Sequence, residues 1–536
     1  MAKAKWFFYS LLAGLVFQGC HKVLVDDGPF PIEFSETNME GKERYLRTVA
    51  RQDITENKPN ILLILVDDLG RDDISLYHAE GVHTPHLSRL AASGVVFTDA
   101  YSSSSVCSPS RASLLTGRYQ HRFGFERQPM NRYPRNRFEY LVVDRLVNTE
   151  PMRLLEPMAS PADEHMAKQG IPPGEILLPE VLQAREYHTG IFGKWHLGFS
   201  APFLPNARGF DEQYGFYEAF TYYSPPGDPD IVNYKHDYFA NKHIWRQKRK
   251  GSCAIRLNDS IIAEEEYLTF AIADRTIDFI DRHKNEAFFA FAAFSAPHTP
   301  FQVPSEYYER FDHIQDTNKR VYYAMISALD DAIGRIVDKL EAEAMLENTL
   351  ILFASDNGGA SYTGATDNGT LNAGKMTQFE GGVNVPCLLT WKGKIPEGSS
   401  FQKPVSLMDL FATALHVSGV SMPDDRVMDG VNLIPYLNRE KEGSPHKALY
   451  WRTDFNKSVR YGQWKFIWNV RDEQVFLFHL DKDREELENL ADQHPDLVGK
   501  LKKEILIWEQ GLEDPAWPGV MEIRFDINGE ITWWAI

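Results

Sequence analysis

The chain has 536 residues, 43% of them hydrophobic and 25% charged, a globular composition that excludes a largely disordered or membrane-embedded protein. Its 57 basic and 75 acidic residues give a formal charge of −18, which excludes non-specific binding to nucleic acid or to anionic membranes. An anionic ligand therefore needs a local basic pocket, and the length leaves room for a large core with a smaller satellite.

At the N-terminus Lys3 and Lys5 precede an apolar stretch from Trp6 to Phe17 and then Gln18-Gly19-Cys20. Residues 1–20 read as an export signal, too short for a membrane span. Leu15 to Cys20 is also similar to a bacterial lipoprotein cleavage box, so both simple secretion to the periplasm and a lipid on Cys20, anchoring the protein to the cell envelope, stand as expectations. No other membrane attachment is expected. Residues 21–57 show little periodicity and are expected to form a tether.

A catalytic domain is expected over 58–436. Ile61 to Val66 is a continuous apolar run, the pattern of a strand buried on both faces. Thr84-Pro85 caps a helix bearing Leu87, Leu90 and Ala91, which Gly94 ends before Val95-Val96-Phe97. Further central strands are expected at Gly190-Ile191-Phe192, Ala287 to Phe294 and Leu350 to Ala354. Between the last two, Ile326, Leu329, Ile333, Ile336, Val337 and Leu340 form the apolar face of a long helix. Strand and helix alternate, so the fold class is α/β, a large, mainly parallel sheet flanked by helices. Over 437–536 short alternating strands (Tyr450 to Arg452, Trp464 to Trp468, Val475 to Leu477), a helix from Asp496 to Trp508 and a hairpin at Asn528-Gly529 predict a smaller antiparallel α+β subdomain.

In parallel sheets, ligands bind beyond the carboxyl ends of the strands. Chemistry-bearing residues collect there: Val66-Asp67-Asp68-Leu69-Gly70, Phe192-Gly193-Lys194-Trp195-His196-Leu197-Gly198, Phe294-Ser295-Ala296-Pro297-His298-Thr299-Pro300 and Ser355-Asp356-Asn357-Gly358-Gly359. Asp67, Asp68, Asp356 and Asn357 together make a hard-oxygen set suited to Ca²⁺ ahead of Mg²⁺. Two more segments stand out, Gly374-Lys375-Met376-Thr377-Gln378-Phe379-Glu380-Gly381-Gly382 and the run from Cys107-Ser108-Pro109-Ser110-Arg111 to Leu114-Leu115-Thr116-Gly117-Arg118.

That last run closely resembles the signature of type I sulfatases, and the order of all six segments, over about residues 58 to 390, is that family's order. The resemblance implies an alkaline phosphatase-like fold and a sulfatase in which Cys107 is oxidised to formylglycine by a formylglycine-generating or an anaerobic sulfatase-maturing enzyme. A hydrated aldehyde presents two hydroxyls, one to attack sulfur and one whose deprotonation then expels sulfate. It further implies that Asp67, Asp68, Asp356 and Asn357, with the Cys107-derived group, hold one Ca²⁺, and that Arg111 stabilises the ionised diol. Lys194 and Lys375 would bind sulfate, His196 would take a proton from the diol, and His298 would protonate the departing alcohol. For Lys194 and His196, two apart, to share a pocket, the segment is expected to be extended. Met408-Asp409-Leu410 and Asp429 to Leu433 are read as structural.

Residues 125–170 form an insertion holding Arg127, Arg132, Arg135, Arg137, Arg145 and Arg153 with Tyr133, Phe138 and Tyr140. Arginine forks bind sulfate and aromatic rings stack on sugars, so the insertion is read as gripping a sulfated glycan, against the alternative of a solvated basic loop. His236 and Trp245 are further sugar-site candidates, and Arg246 to Lys250 is read as an exposed run. Of the four cysteines, Cys20 and Cys107 have fates of their own, which leaves Cys253 and Cys387 as one open pairing; in its apolar run Cys387 reads instead as a free buried thiol. The substrate expected is a sulfated polysaccharide or oligosaccharide. The competing readings are a formylglycine-dependent phosphodiesterase or phosphonate monoester hydrolase, and a non-catalytic glycan-binding lipoprotein.

Overall fold

The structure, a computed structural model, describes residues 32–52, 58–130, 133–147, 151–155, 161–236 and 239–536. The expected export signal, Cys20 and Arg132 lie outside these residues. Where a featureless tether was expected there is a helix, α1 (Glu36–Ala50), whose first turn is capped by the Ser35 hydroxyl accepting from the Asn38 N–H. Periodicity missed it because its apolar contact with the core is short, at Tyr45, Leu46 and Val49, and is supplemented by polar ones: Lys42 pairs with Glu180 at 2.5 Å and the Tyr45 hydroxyl donates to the Ser421 carbonyl at 2.8 Å.

The chain then builds β1 (Asn60–Asp67), α2 (Pro85–Ala92), β2 (Gly94–Phe97), α3 (Cys107–Thr116), α4 (Arg137–Val147), α5 (Leu178–Ala184), β3 (His188–Lys194), β4 (Glu212–Phe216), β5 (Arg256–Leu257), β6 (Ser260–Ile261), α6 (Leu268–Arg282), β7 (Phe288–Pro297), α7 (Thr317–Ala342), β8 (Thr349–Ser355), β9 (Cys387–Thr390), β10 (Ser399–Phe401) and α8 (Met408–Val417). The ten strands form one sheet in the order β10-β2-β9-β8-β1-β7-β3-β4-β5-β6. The five central strands from β8 to β4 are parallel; antiparallel pairing follows on both sides, through β8-β9-β2 and β4-β5-β6, and the edge strand β10 runs parallel to β2.

Successive residues of β1 enter opposite cores, Leu62, Ile64 and Val66 on one side and Ile61, Leu63 and Leu65 on the other. Helices cover both faces, which is why the strand reads as an unbroken apolar run. The apolar face expected on α7 is buried at all six positions from Ile326 to Leu340.

Beyond α8 come four antiparallel strands in chain order, β11 (Ala448–Thr453), β12 (Asn456–Tyr461), β13 (Trp464–Asn469) and β14 (Gln474–His479), with α9 (Pro495–Glu509) burying Leu501 and Ile505 on them. The polar β12 gave no signal in the sequence. The hairpin turns at Asn528-Gly529 as expected, both residues having positive φ. Its first strand, Met521–Ile527, also pairs with Met152–Leu154, so the insertion is stitched to the end of the chain. Cys253 and Cys387 are both free buried thiols. Cys387 lies in β9 and Cys253 just before β5, six strand positions away in the sheet, roughly 29 Å at the usual strand spacing, whereas a disulfide needs Cα atoms within about 7 Å.

Candidate active site

Because the central strands are parallel, the residues following them converge on one edge of the sheet. Asp67 ends β1, and Asp68 turns off it with φ 65°, a left-handed conformation that a short polar residue tolerates better than most. β8 ends beside it. The Ser355 hydroxyl accepts from the Leu69 N–H at 3.0 Å and donates to the Asn357 carbonyl at 2.8 Å, tying the two strand ends together. The Asn357 side-chain amide donates to Asp68 Oδ1 at 2.8 Å, and Asp67, Asp356 and Asn357 are wholly buried.

Cys107 is the first residue of α3, a helix buried along its entire length. Ala112, Leu114 and Leu115 fill the core behind it while Arg111 faces the strand ends. Its Nε donates to Asp356 Oδ2 at 2.7 Å and a terminal nitrogen donates to the Lys194 carbonyl at 3.0 Å, so one arginine orients two strand ends. Lys194 Nζ meets Asp67 Oδ2 at 2.6 Å. The segment from Lys194 to His196 is not extended as expected: the strand stops at Lys194, and His196 has φ 60°. The Ser108 hydroxyl donates to its carbonyl at 2.5 Å and holds this turn against α3. Lys375 Nζ lies 2.6 Å from Asp68 Oδ1 and 3.2 Å from Cys107 Sγ. His298, after β7, donates from Nδ1 to the Thr299 carbonyl, leaving Nε2 3.6 Å from Asp68 Oδ2. All ten residues singled out in the sequence thus meet in one buried site.

The electrostatics are those of charges crowded out of water. Burial raises the Asp67 carboxyl, but Lys194, with His298, Arg111 and Lys375 behind it, outweighs this and holds it well below the usual range. Burial and the Asp67 charge push Asp356 the other way, upward. Burial and the same Asp67 charge push up the Cys107 thiol, so an unmodified cysteine here is a neutral thiol and a poor nucleophile. Burial and Lys375 lower His298 to about 4. His196 is driven well below its ordinary value by burial, Lys194 and Arg111.

The site fits a cation. Asp67 Oδ1 and Asn357 Oδ1 are buried acceptors with no hydrogen-bond donor. Carboxylates whose ionisation is mutually opposed gain from a positive ion between them. Ligand atoms of Asp67, Asp68, Cys107 and His298 all lie within 4.8 Å of one another, with Asp356 and Asn357 hydrogen-bonded to that group. Two other clusters among the described residues do not compare. His188 and His283 stack at 4.1 Å, so their lone pairs run side by side, and both face the Glu286 carboxylate. In the other, Asp330 caps α2 through the His86 and Leu87 N–H groups.

Sequence reasoning missed the residues that hold these groups. Tyr322 on α7 reaches the Asp68 carbonyl at 3.1 Å and Asp73 Oδ2 at 2.6 Å. Asn368 accepts from the Gly359 N–H and donates to the Gly359 and Ala373 carbonyls, joining the Asn357 turn to the Lys375 loop. A polar residue on a helix otherwise read for its apolar face, and a second Asp-Asn-Gly run at 367–369, were the available signals.

Three of the insertion's arginines are paired within the fold. Arg127 pairs with Asp454 at 2.6 Å, Arg135 with Asp163, and Arg153 with Glu522 while stacking 3.5 Å from the Trp533 ring. Tyr133 is buried, and Tyr140 packs against the core that contains Val106 and Met376. Phe138 and Arg145 remain exposed; the side chain of Arg137 lies outside the described residues. His236 is half-buried, and Trp245 donates to Asn241 beneath Lys235. Arg246 to Lys250 is exposed except at Arg249, which donates to the carbonyls of Tyr222, Tyr223 and Glu264.

The model of the sulfatase family matches residues 59–420, and that of the C-terminal region of N-sulphoglucosamine sulphohydrolase matches 374–510. The chain belongs to the sulfatase family. It is 33% identical over 414 residues to N-acetylgalactosamine-6-sulfatase of Canis lupus familiaris, covering 76% of this chain and 71% of the relative. Among solved structures it is similar to Ps i-CgsB, also solved in complex with k-i-k-neocarrahexaose, at 30% identity and TM-score 0.71, covering 86% of this chain and 94% of that one. A phosphonate monoester hydrolase from Silicibacter pomeroyi shares the fold at 18% identity and TM-score 0.61, covering 86% and 96%. The protein is thus a sulfuric ester hydrolase of the alkaline phosphatase-like fold expected from its sequence.

Proposed function

We propose that this sulfatase removes ester sulfate from a carbohydrate, with Cys107 converted to formylglycine and one Ca²⁺ held by Asp67, Asp68, Asp356 and Asn357. The observation that carries the reading is the convergence of Cys107, Lys375, Lys194 and Arg111 on a buried acidic cluster with two acceptor oxygens unsatisfied. Bound there, the cation would supply the positive charge that lets both carboxylates ionise and a sulfate approach. As formylglycine, position 107 would offer a hydroxyl where the buried thiol is inert.

The chain's own groups supply the rest. Lys375, 3.2 Å from Cys107 Sγ, and Lys194 neutralise the sulfate oxygens as the substrate arrives. Arg111 keeps Asp356 and the carbonyl of Lys194 fixed while charge moves. His298 has its Nδ1 proton committed to Thr299, so Nε2 is the atom that exchanges a proton with the leaving oxygen. The sulfate brings negative charge next to it and raises it from about 4 towards the working range. His196, buried and neutral, is suited to accept a proton rather than donate one. The neighbour solved with a neocarrahexaose supports a saccharide substrate. The proposal includes an exported protein, in the periplasm or anchored through a lipid on Cys20, and a separate maturing enzyme.

Activity on aryl sulfate and on a phosphate diester separates this reading from the phosphodiesterase one. Preference for the diester would replace it, and a folded protein that keeps Cys107 unmodified in its native host would favour the glycan-binding alternative.

A further inference from the structure

The loop that carries Lys375 is held from two sides. On the side of the large sheet, the Lys375 N–H donates to the Gly359 carbonyl at 2.9 Å, the Met376 N–H to the Ser105 carbonyl at 2.9 Å, and the Gly358 N–H to the Gly382 carbonyl at 3.0 Å. A Cβ on Gly358 would lie 1.8 Å from the Gly381 carbonyl oxygen, so the Asn357 turn and this loop touch through bare backbone. Ala373 and Met376 are left-handed, with φ 58° and 77°. Such a conformation persists only where surrounding structure over-determines it.

The other side is the C-terminal subdomain. Gln378 Nε2 donates to the Asn456 carbonyl at 3.1 Å, and Asn372 Nδ2 to the Glu486 carbonyl at 3.2 Å. The Glu380 N–H donates to the Glu486 carboxylate at 2.7 Å. Glu380 Oε1 meets Lys465 Nζ, on β13, at 3.0 Å, with both side chains wholly buried. Glu380 Oε2 accepts from the Tyr101 hydroxyl at 2.6 Å and from Asn384 at 2.9 Å. The Phe379 ring lies 5.6 Å from Phe476, 6.0 Å from Phe478 and 5.6 Å from Trp534. A fully buried Lys–Glu pair contributes little net stability compared with apolar packing, since desolvation offsets its attraction. What it does supply is direction: it fixes where Glu380, five residues beyond Lys375, can sit.

Resting on the reading of Lys375 as a sulfate-binding group, we propose that Lys465 and Glu486 are positioning residues for it, so that the C-terminal subdomain completes the active site through Glu380 without touching the substrate. A displacement of about 1 Å at a catalytic group costs on the order of 10²-fold in rate.

The test is a double-mutant cycle in kcat/KM on 4-nitrophenyl sulfate, using matured full-length protein and checking fold by circular dichroism. Lys465→Met lowers kcat/KM on the order of 10²-fold in the wild-type background and less than about 3-fold beside Lys375→Ala, because the group it acts through is already gone. Equal losses in both backgrounds, or none in either, overturn the proposal. If Lys465→Met does not fold, Glu486→Ala enters the same cycle with the same expectation. A crystal structure of the variant with Cys107 left unconverted needs no turnover: Lys375 Nζ must have moved from its place 3.2 Å from Cys107 Sγ, and an unmoved lysine refutes the brace. Should Lys375→Ala alone keep wild-type activity, it is the reading of Lys375 that fails rather than the coupling.

Discussion

The strand ends and the insertion at 125–170 are both rich in charge, and they use it in opposite ways. In the insertion Arg127, Arg135 and Arg153 each have an acid of their own, Arg153 stacks on Trp533 as well, and of their nitrogens only Arg127 Nε is buried without a partner among the described residues. At the strand ends, Asp67 Oδ1, Asn357 Oδ1, one terminal nitrogen of Arg111 and His196 Nδ1 are buried with no hydrogen-bond partner. A buried polar atom without a partner costs about 1–3 kcal/mol, so a site holding several is built for something that arrives later. Charge content alone distinguishes nothing. Whether the charges are satisfied within the fold does.

The sharpest way to break this comparison is to remove a charge from the strand-end site. Lys194→Ala is expected to lower kcat/KM on a sulfate ester by about 10²–10³-fold, a loss typical of removing one preorganised charge; steady-state kinetics with a thermal melt as control measure it, and a loss under about 5-fold would place Lys194 with the structural charges. Chelation comes next. Exhaustive treatment with a chelator should cut turnover at least about 100-fold and Ca²⁺ should restore it, whereas unchanged activity contradicts the role given to Asp67, Asp68, Asp356 and Asn357.

A satisfied pair should register in stability instead. His446 Nε2 lies 2.8 Å from Asp409 Oδ1, and Asp409 also accepts from the Ser406 and Val431 N–H groups. Burial opposes protonation of His446, but the Asp409 charge and hydrogen bond outweigh it and raise its pKa above the ordinary value. The contribution is therefore fully present below about pH 6.5, the unfolded value, and is lost as pH rises through the higher folded one. Urea midpoints between pH 6 and 9 should fall in the wild type and fall less in His446→Gln; parallel curves would refute it. Smallest of all is the change expected for Arg153→Ala, within about 3-fold in kcat/KM on a glycan substrate, as for most satisfied surface ion pairs. A loss above about 10-fold with KM carrying it would restore the insertion as a sugar-binding element.

How legible the molecule was follows the same division. β1 and α7 declared themselves because burial on two faces, or on one, imposes a continuous run or a 3.6-residue period. Asp67, Asp68, Lys194, His196, His298, Asp356 and Asn357 were legible because each ends or closely follows a parallel strand, whereas Cys107, Arg111 and Lys375 lie on a helix and a loop and were read through the resemblance to the sulfatase signature. What escaped notice has few apolar side chains to show a period: α1, which adds the polar contacts of Lys42 and Tyr45 to a short apolar contact at Leu46 and Val49, β12, which buries Val459 between backbone ladders, and the supports Tyr322 and Asn368. The extended geometry expected at Lys194 to His196 failed because the chain must turn off the sheet there, with His196 held by Ser108. In the insertion the pairings of Arg127 and Arg153 were not legible because their acids, Asp454 and Glu522, lie more than 300 residues further along, whereas Asp163, which answers Arg135, lies within the insertion.

The central claim is that Cys107 becomes the nucleophile of a carbohydrate sulfatase. Protein produced together with a formylglycine-generating enzyme should be incubated with a panel of sulfated glycans and their oligosaccharides, measuring free sulfate and the mass of the peptide holding residue 107, beside Cys107→Ala. The account predicts sulfate release from at least one glycan, an aldehyde mass at position 107, and no release by the variant. Release by Cys107→Ala at the wild-type rate, or none from any glycan by protein whose Cys107 is fully converted, would contradict it.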